Sequence, residues 1–223
     1  MKTTKLIKEK PIEVTEKPKI KNKELYWVLG IMLAIVVVFL ASYSIFQSLH
    51  RFDYEGLTFT KERFGDKVLY HYYYYFPDTT GEVVKYNLYL RNDPRTNNAT
   101  IEREIFLESE RTTYLSINAT ELAKCPYSSV AISSIASFLS ANMIPIRSAT
   151  SEKELALENN LTYADCETHQ DDLVLILRAG DKTEIERETP TCFFLTASNC
   201  EITQVVEKFQ VEAIIDARAR RGL

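Results

Sequence analysis

From Leu25 to Phe46 the chain runs for 22 residues without a charged side chain. At about 1.5 Å per residue a helix of that length covers roughly 33 Å, against about 30 Å for the hydrocarbon core of a bilayer. Tyr26 and Trp27 stand where an aromatic belt anchors one interface, and Tyr43 stands near the other. A helix on a domain surface keeps a polar side, and this run has none. The pattern predicts one transmembrane helix over residues 25–46.

Beyond it the hydrophobic period changes to two. Leu57-Thr58-Phe59-Thr60 reads as a short strand opened by Gly56. Val68 to Phe76, with four consecutive tyrosines at 72–75, is dense in the aromatic and branched residues that suit a pleated surface. Pro77 to Gly81 supplies turn chemistry. Val83 to Arg91 then alternates, with Val84, Tyr86, Leu88 and Leu90 on one face and Lys85, Asn87, Tyr89 and Arg91 on the other. Together these segments predict a β-hairpin with one buried face. Asn92 to Asn98 reads as an exposed loop, and Ile105–Leu107 and Tyr114–Ile117 as two more strands.

From Cys125 onward helices join in. Pro126, Ser128 and Ser129 carry helix-start chemistry, and Val130, Ile132, Ile135, Ala136, Phe138 and Leu139 repeat at helical spacing. Met143–Ile146 reads as a strand, and Ser151–Asn159 as a short helix with Ser151 and Glu154 as a capping box. Asp172–Leu177 is a nearly continuous apolar run, the mark of a central strand covered on both faces. A turn at Ala179–Lys182 leads to strands at Thr183–Glu188 and Cys192–Leu195. A last helix covers about Glu201–Ala219, with Ile202, Val205, Val206, Phe209, Ala213 and Ile214 as its stripe; Arg218, Arg220 and Arg221 suit the negative end of its dipole. The fold class expected is α/β (α+β): a mixed sheet covered by helices, plus the Tyr-rich hairpin, which either extends that sheet or stands apart from it. The expected segments are 1–24, a disordered tail; 25–46, the span; 47–100, the hairpin region; and 101–223, the α/β domain.

Charge decides orientation. Residues 1–24 hold eight Lys against four Glu, whereas the whole chain carries −4, so the acidity lies beyond the span. The positive-inside bias then puts the N-terminus in the cytoplasm and the C-terminal domain outside the cell membrane. The alternative is a signal peptide cleaved near Ser42-Tyr43-Ser44, but the long leader and full-length apolar run favour an uncleaved signal-anchor. The bilayer is thus the first expected partner. Nucleic acid is excluded as another, because an acidic domain lacks the basic face it requires.

Four cysteines, Cys125, Cys166, Cys192 and Cys200, all follow the span, the pattern of two disulfides in an exported domain. Three connectivities are possible. Cys192 and Cys200 bracket one strand-to-helix junction, which favours their pairing and leaves Cys125 with Cys166. No C-x-x-C or His spacing accompanies them, which speaks against zinc and thiol-redox chemistry. Three glycosylation sequons, at Asn98, Asn118 and Asn160, lie on the same side.

Tyr86-Asn87-Leu88-Tyr89-Leu90-Arg91-Asn92-Asp93-Pro94-Arg95, after one N-terminal span and before a Cys-bearing α/β segment, resembles a group of uncharacterised single-pass archaeal membrane proteins, with a looser echo at Asn199-Cys200-Glu201. The resemblance implies location and architecture; that group carries no activity to transfer.

Candidate chemistry is sparse. Of three histidines, His50 lies at the membrane edge and His71 inside the Tyr-rich strand. His169 sits within Asp165–Asp172, where a solvated acidic turn is favoured over a cation site. No nucleophile elbow, phosphate-binding loop or dinucleotide fingerprint occurs, and no cofactor or metal is expected. The candidate binding residues are Tyr72, Tyr73, Tyr74, Tyr75, Tyr89, Arg91 and Arg95. Outward-facing rings of that strand can stack on sugars or dock a protein, and the arginines can grip a carboxylate. Two function classes follow: an anchored domain that binds a protein or surface polymer, or an envelope hydrolase with a dispersed site. A water-accessible cluster of His169 with two carboxylates favours the second, and an exposed Tyr face without it favours the first.

Overall fold

The computed structural model describes residues 22–78, 80–101, 104–108 and 111–222; most of the Lys-rich leader, residues 1–21, lies outside the described residues. The chain divides into two compact units, residues 1–47 and 48–223. The first is represented by α1 (Asn22–His50), whose stretch Lys23–Phe46 is long and apolar enough to cross a membrane, with none of it buried against other protein. A helix that is apolar on every side, and uncovered, has bilayer as its natural solvent.

The second unit opens with an antiparallel meander of β1 (Arg51–Tyr54), β2 (Leu57–Phe64), β3 (Lys67–Pro77) and β4 (Val83–Leu90), neighbours in that order. Its turns follow local chemistry. Glu55 and Gly56 both take positive φ, as the tightest hairpin loops require. Asp78 Oδ1 accepts from the backbone N–H groups of Thr80 and Glu82, closing the loop between β3 and β4.

A mixed sheet follows, built from β5 (Thr100–Ile101), β6 (Thr113–Ile117), β7 (Ile146–Thr150), β8 (Leu173–Ala179), β9 (Glu184–Thr189) and β10 (Cys192–Ala197) in the order β5-β9-β10-β8-β6-β7. Strands β10, β8, β6 and β7 are mutually parallel, and β9 runs against β10. The apolar run forms central β8, buried from Leu173 to Leu177 as the sequence predicts. The helices of this unit are α2 (Ala119–Leu122), α3 (Ser128–Ala141), α4 (Lys153–Asn159) and α5 (Ile202–Arg220).

Helices α3 and α5 form a middle layer between the two sheets. Toward the mixed sheet, Phe209 meets Phe193 of β10 edge to face with centroids 6.1 Å apart. Toward the antiparallel sheet, Phe138 meets Tyr86 at 6.0 Å, Lys208 Nζ donates to Tyr54 Oη at 3.0 Å, and Glu207 accepts from the backbone of Arg91 and Asn92. One apolar core runs from Leu57, Phe59, Tyr72, Leu88 and Leu90 through Leu139 and Phe209 to Leu175 and Leu195. The hairpin therefore belongs to a sheet of its own, yet shares its core with the rest. Being covered on two sides, α5 buries Glu207 and Gln210 as well as its expected stripe. A smaller cluster on the opposite face of the mixed sheet holds Tyr114, Ala164, Val174, Ile176 and Cys192.

Several expectations need correction. Ile105–Leu107 forms no strand: the Ile105 N–H donates to Asp216 Oδ2 at 2.7 Å and its carbonyl accepts from Arg220 at 3.1 Å, so side chains of α5 stand in for a ladder. The strand expected at Met143–Ile146 begins only at Ile146, because Met143 takes φ +59° and Ile144 N–H returns to the Leu139 carbonyl, closing α3. No capping box forms at Ser151; α4 starts at Lys153 without a side-chain cap, and the neighbouring Glu152 carboxylate accepts from Thr120 N–H instead. The short elements β1, β5 and α2 had too few residues to show a period.

The disulfides are Cys125–Cys200 and Cys166–Cys192, not the expected Cys192–Cys200 and Cys125–Cys166. Cys192 opens β10, and Cys200 lies beyond its far end. The strand alone sets them roughly 17 Å apart at about 3.3 Å per residue, whereas the bridged pairs have Cα atoms 5.1 and 5.5 Å apart. Cys125 precedes α3 and Cys200 precedes α5; both helices leave the same edge of the parallel strands, so their starting points meet.

Candidate functional site

Strand alternation divides the tyrosines. Tyr72 faces the core at 7% exposure and Tyr74 is half-buried beside it, whereas Tyr73 and Tyr75 face solvent at 49% and 58%. The outward pair extends into a row. Phe64 lies 6.1 Å from Tyr89, Tyr89 stacks on His71 at 4.5 Å, and His71, Tyr73 and Tyr75 follow at 5.9 Å steps. Lys85 Nζ sits 4.1 Å from the centre of the Tyr73 ring, within cation–π range. The row is held from the side: His71 Nδ1 lies 2.6 Å from Glu62 Oε1, and its Nε2 lies 3.1 Å from Asn87 Oδ1. The row is not coplanar: His71 and Tyr89 stack at 13°, whereas Phe64 and Tyr89 meet at 88°.

The predicted arginines do not join this row. Arg95 grips Asp93 through Nε and Nη2 at 3.0 and 2.5 Å, with its guanidinium carbon over Phe52, 3.9 Å from the ring centre. That hydrogen bond holds the Asp93 carboxyl below the usual carboxylate range. Arg91 stands 5.1 Å over the Tyr127 ring, while its backbone N–H and that of Asn92 are taken by Glu207. The seven predicted binding residues thus fall into an outward group (Tyr73, Tyr75, Tyr89), an inward group (Tyr72, Tyr74) and two loop arginines engaged elsewhere.

The acidic turn around His169 is a closed local structure. Asp165 Oδ1 accepts from Glu167 N–H, Thr168 N–H and the Thr168 hydroxyl, and its other oxygen from Tyr163. Partial burial pushes the Asp165 carboxyl up, but these hydrogen bonds prevail and hold it at about 2. The His169 ring packs on Tyr114 at 4.1 Å, with Nδ1 3.0 Å from the Thr168 hydroxyl. Among the described residues, no group of three or more His, Cys, Asp or Glu is placed to hold a metal ion.

Parallel sheets bind ligands where the strand order reverses, beyond the carboxyl ends of the strands. Here that point lies between β6 and β8, at an open polar depression of about 620 Å³. Several of its groups are already engaged: Asn118 Oδ1 caps α2, Glu121 accepts from Ala179 N–H, and Arg178 pairs with Glu186 at 3.1 Å while covering Phe194. Of the sequon asparagines, Asn98 and Asn160 are exposed and Asn118 is half-buried in this cap. No protein-family profile matches the chain, and no curated protein or solved structure is detectably similar to it.

Proposed function

We propose that the chain is a single-pass membrane protein, N-terminus inside, whose domain beyond the span lies outside the cell membrane and docks a protein partner through the outward aromatic row of the antiparallel sheet. The observation that carries this reading is the row itself: Phe64, Tyr89, Tyr73 and Tyr75 are each more than two-fifths exposed, on the face of a sheet whose other face already supplies the core. Folding does not need aromatic rings there, and interfaces enrich them. Lys85 stands over the Tyr73 ring on the same face, so a partner surface that offers carboxylates fits. A surface polymer is the less favoured occupant, because rings inclined by up to 88° offer no coplanar platform for successive sugar faces. A hydrolase is less favoured still: both ring nitrogens of His71 are engaged, and His169 is packed on Tyr114 within a self-satisfied turn. The two disulfides support an oxidising location.

Site-specific photocrosslinking tests it. A photoreactive residue at Tyr73 or Tyr75 of the full chain in its own membrane is expected to trap one protein, and the Tyr73→Ser/Tyr75→Ser variant to lose that protein on purification while melting normally. Crosslinks to polysaccharide alone, or a partner retained by the double variant, would overturn the reading.

A further inference from the structure

On the inner side of the antiparallel sheet a cavity of about 530 Å³ opens between β3, the end of α3 and the last turns of α5, and its lining also takes in Tyr73 and Tyr75. This is the size of a small-molecule site, roughly 300–1,000 Å³. Its walls are apolar rings and aliphatic groups, among them Tyr72, Tyr74, Phe138 and Ile214. Its charged lining is Arg218, Arg220 and Arg221, and among the described residues no carboxylate lines it.

Arg218 and Arg220 lie in the last turn of α5, as its dipole favours, and their guanidiniums make specific contacts besides. Arg218 Nη1 turns away from the helix end to donate to the Gly56 carbonyl at 3.0 Å and the Tyr72 hydroxyl at 3.4 Å. Arg220 Nη1 donates to the Ile105 carbonyl at 3.1 Å, with its guanidinium 4.7 Å from the centre of the Phe106 ring. Arg221 lines the same cavity, and burial pushes the Tyr74 hydroxyl above its ordinary value. Among the described residues none of the three is within ion-pair distance of a carboxylate. The nearby Asp216 carboxylate is engaged by the Ile105 N–H. Each guanidinium has five N–H donors, so most remain available. The polar floor is fixed too: Tyr74 Oη donates to Asn142 Oδ1 at 2.6 Å, and Asn142 Nδ2 donates to the Phe138 carbonyl at 2.7 Å.

We propose that this cavity binds a small organic carboxylate carried on a six-membered ring, its ring between the tyrosine and phenylalanine walls and its carboxylate on the arginine cluster. The apolar walls bury the ring, while Arg220 and Arg221 stand exposed at the mouth, where the forked geometry of arginine matches a carboxylate. An aromatic acid and an acidic sugar share this chemistry. The site shares Tyr73 and Tyr75 of β3 with the outward row, whose other aromatic members, Phe64 and Tyr89, do not line it.

Calorimetric titration of the detergent-solubilised full chain tests the idea with benzoate, galacturonate, their neutral counterparts benzamide and galactose, and inorganic phosphate. At least one ring carboxylate is expected to bind, while its neutral counterpart and phosphate do not; which one binds identifies the ring. Arg221→Gln should weaken that binding about tenfold, as for loss of one charge-assisted contact. Ala217→Trp, which fills the cavity and leaves all three arginines in place, should abolish it, and Tyr89→Ala on the outward row should leave it unchanged. Absence of binding by either acid, equal binding of the neutral compound or of phosphate, or full affinity in both cavity variants would overturn the proposal.

Discussion

Replacing Glu207 tests how the middle layer is fastened to the antiparallel sheet. The residue is 5% exposed, and its carboxylate accepts three hydrogen bonds: from Arg91 N–H at 2.7 Å, Asn92 N–H at 3.0 Å and Asn92 Nδ2 at 2.8 Å. In Glu207→Ala the two backbone donors lose their acceptor beside the core. Each unsatisfied group costs about 1–3 kcal/mol, at the low end where water reaches it, and the Asn92 amide can turn outward. The expected loss is about 2–4 kcal/mol, read from urea unfolding of the detergent-solubilised chain by tyrosine near-ultraviolet circular dichroism. Glu207→Gln keeps one acceptor and sets an NH2 group against a donor, and should lose about 1–2 kcal/mol at neutral pH. Burial pushes the Glu207 carboxyl above its ordinary value, although the three hydrogen bonds oppose this. A raised folded-state pKa means that the native state holds the proton more tightly than the unfolded chain. The contribution is therefore full below about 4.5 and is lost as pH rises through the folded value. The stability gap between wild type and Glu207→Gln should widen from pH 8 to pH 4. A gap that stays constant or narrows, or a Glu207→Ala loss under about 1 kcal/mol, would refute the reasoning.

Tyr72→Ala should cost about 3–5 kcal/mol, as for other large buried aromatics, whereas Tyr73→Ala and Tyr75→Ala should stay within about 0.5 kcal/mol of wild type in the same unfolding assay; equal losses at all three would mean that both faces of β3 are covered. Non-reducing peptide mapping should recover Cys125 with Cys200 and Cys166 with Cys192. In a chain-entropy account, loops of 75 and 26 residues contribute roughly 4.5 and 3.5 kcal/mol, so removing the first pair should cost more. In intact cells a tag at the N-terminus should be protected from added protease and one at the C-terminus cleaved; the reverse pattern would overturn the orientation.

The hairpin was readable because one face alone is buried, which forces Tyr72, Leu88 and Leu90 into strict alternation with exposed neighbours. Central β8 was readable for the opposite reason, both faces being covered. The layer order was not, because it depends on α5 having two buried sides, and the second is marked by Glu207 and Gln210, polar residues that periodicity assigns to solvent. Their roles depend on Arg91, Asn92 and Ser134, far away in the chain. For the same reason Arg218, Arg220 and Arg221 read as partners of a helix dipole, and only the fold brings them to the inner end of β3. Disulfide connectivity likewise depended on which helix ends share a sheet edge.

The nested bridges set a constraint on the order of maturation. During synthesis Cys125 appears first and Cys166 next, so the earliest thiols able to meet are partners in neither native bond. The inner bridge needs β10, and the outer one needs the chain through Cys200, which immediately precedes α5. Until α5 arrives, Leu57, Phe59, Leu88 and Leu90 of the early-made meander also lack their covering layer. An emerging chain that oxidises promptly therefore traps a wrong 125–166 loop under an open apolar sheet, and productive folding requires late oxidation or thiol–disulfide exchange after the last helix has docked.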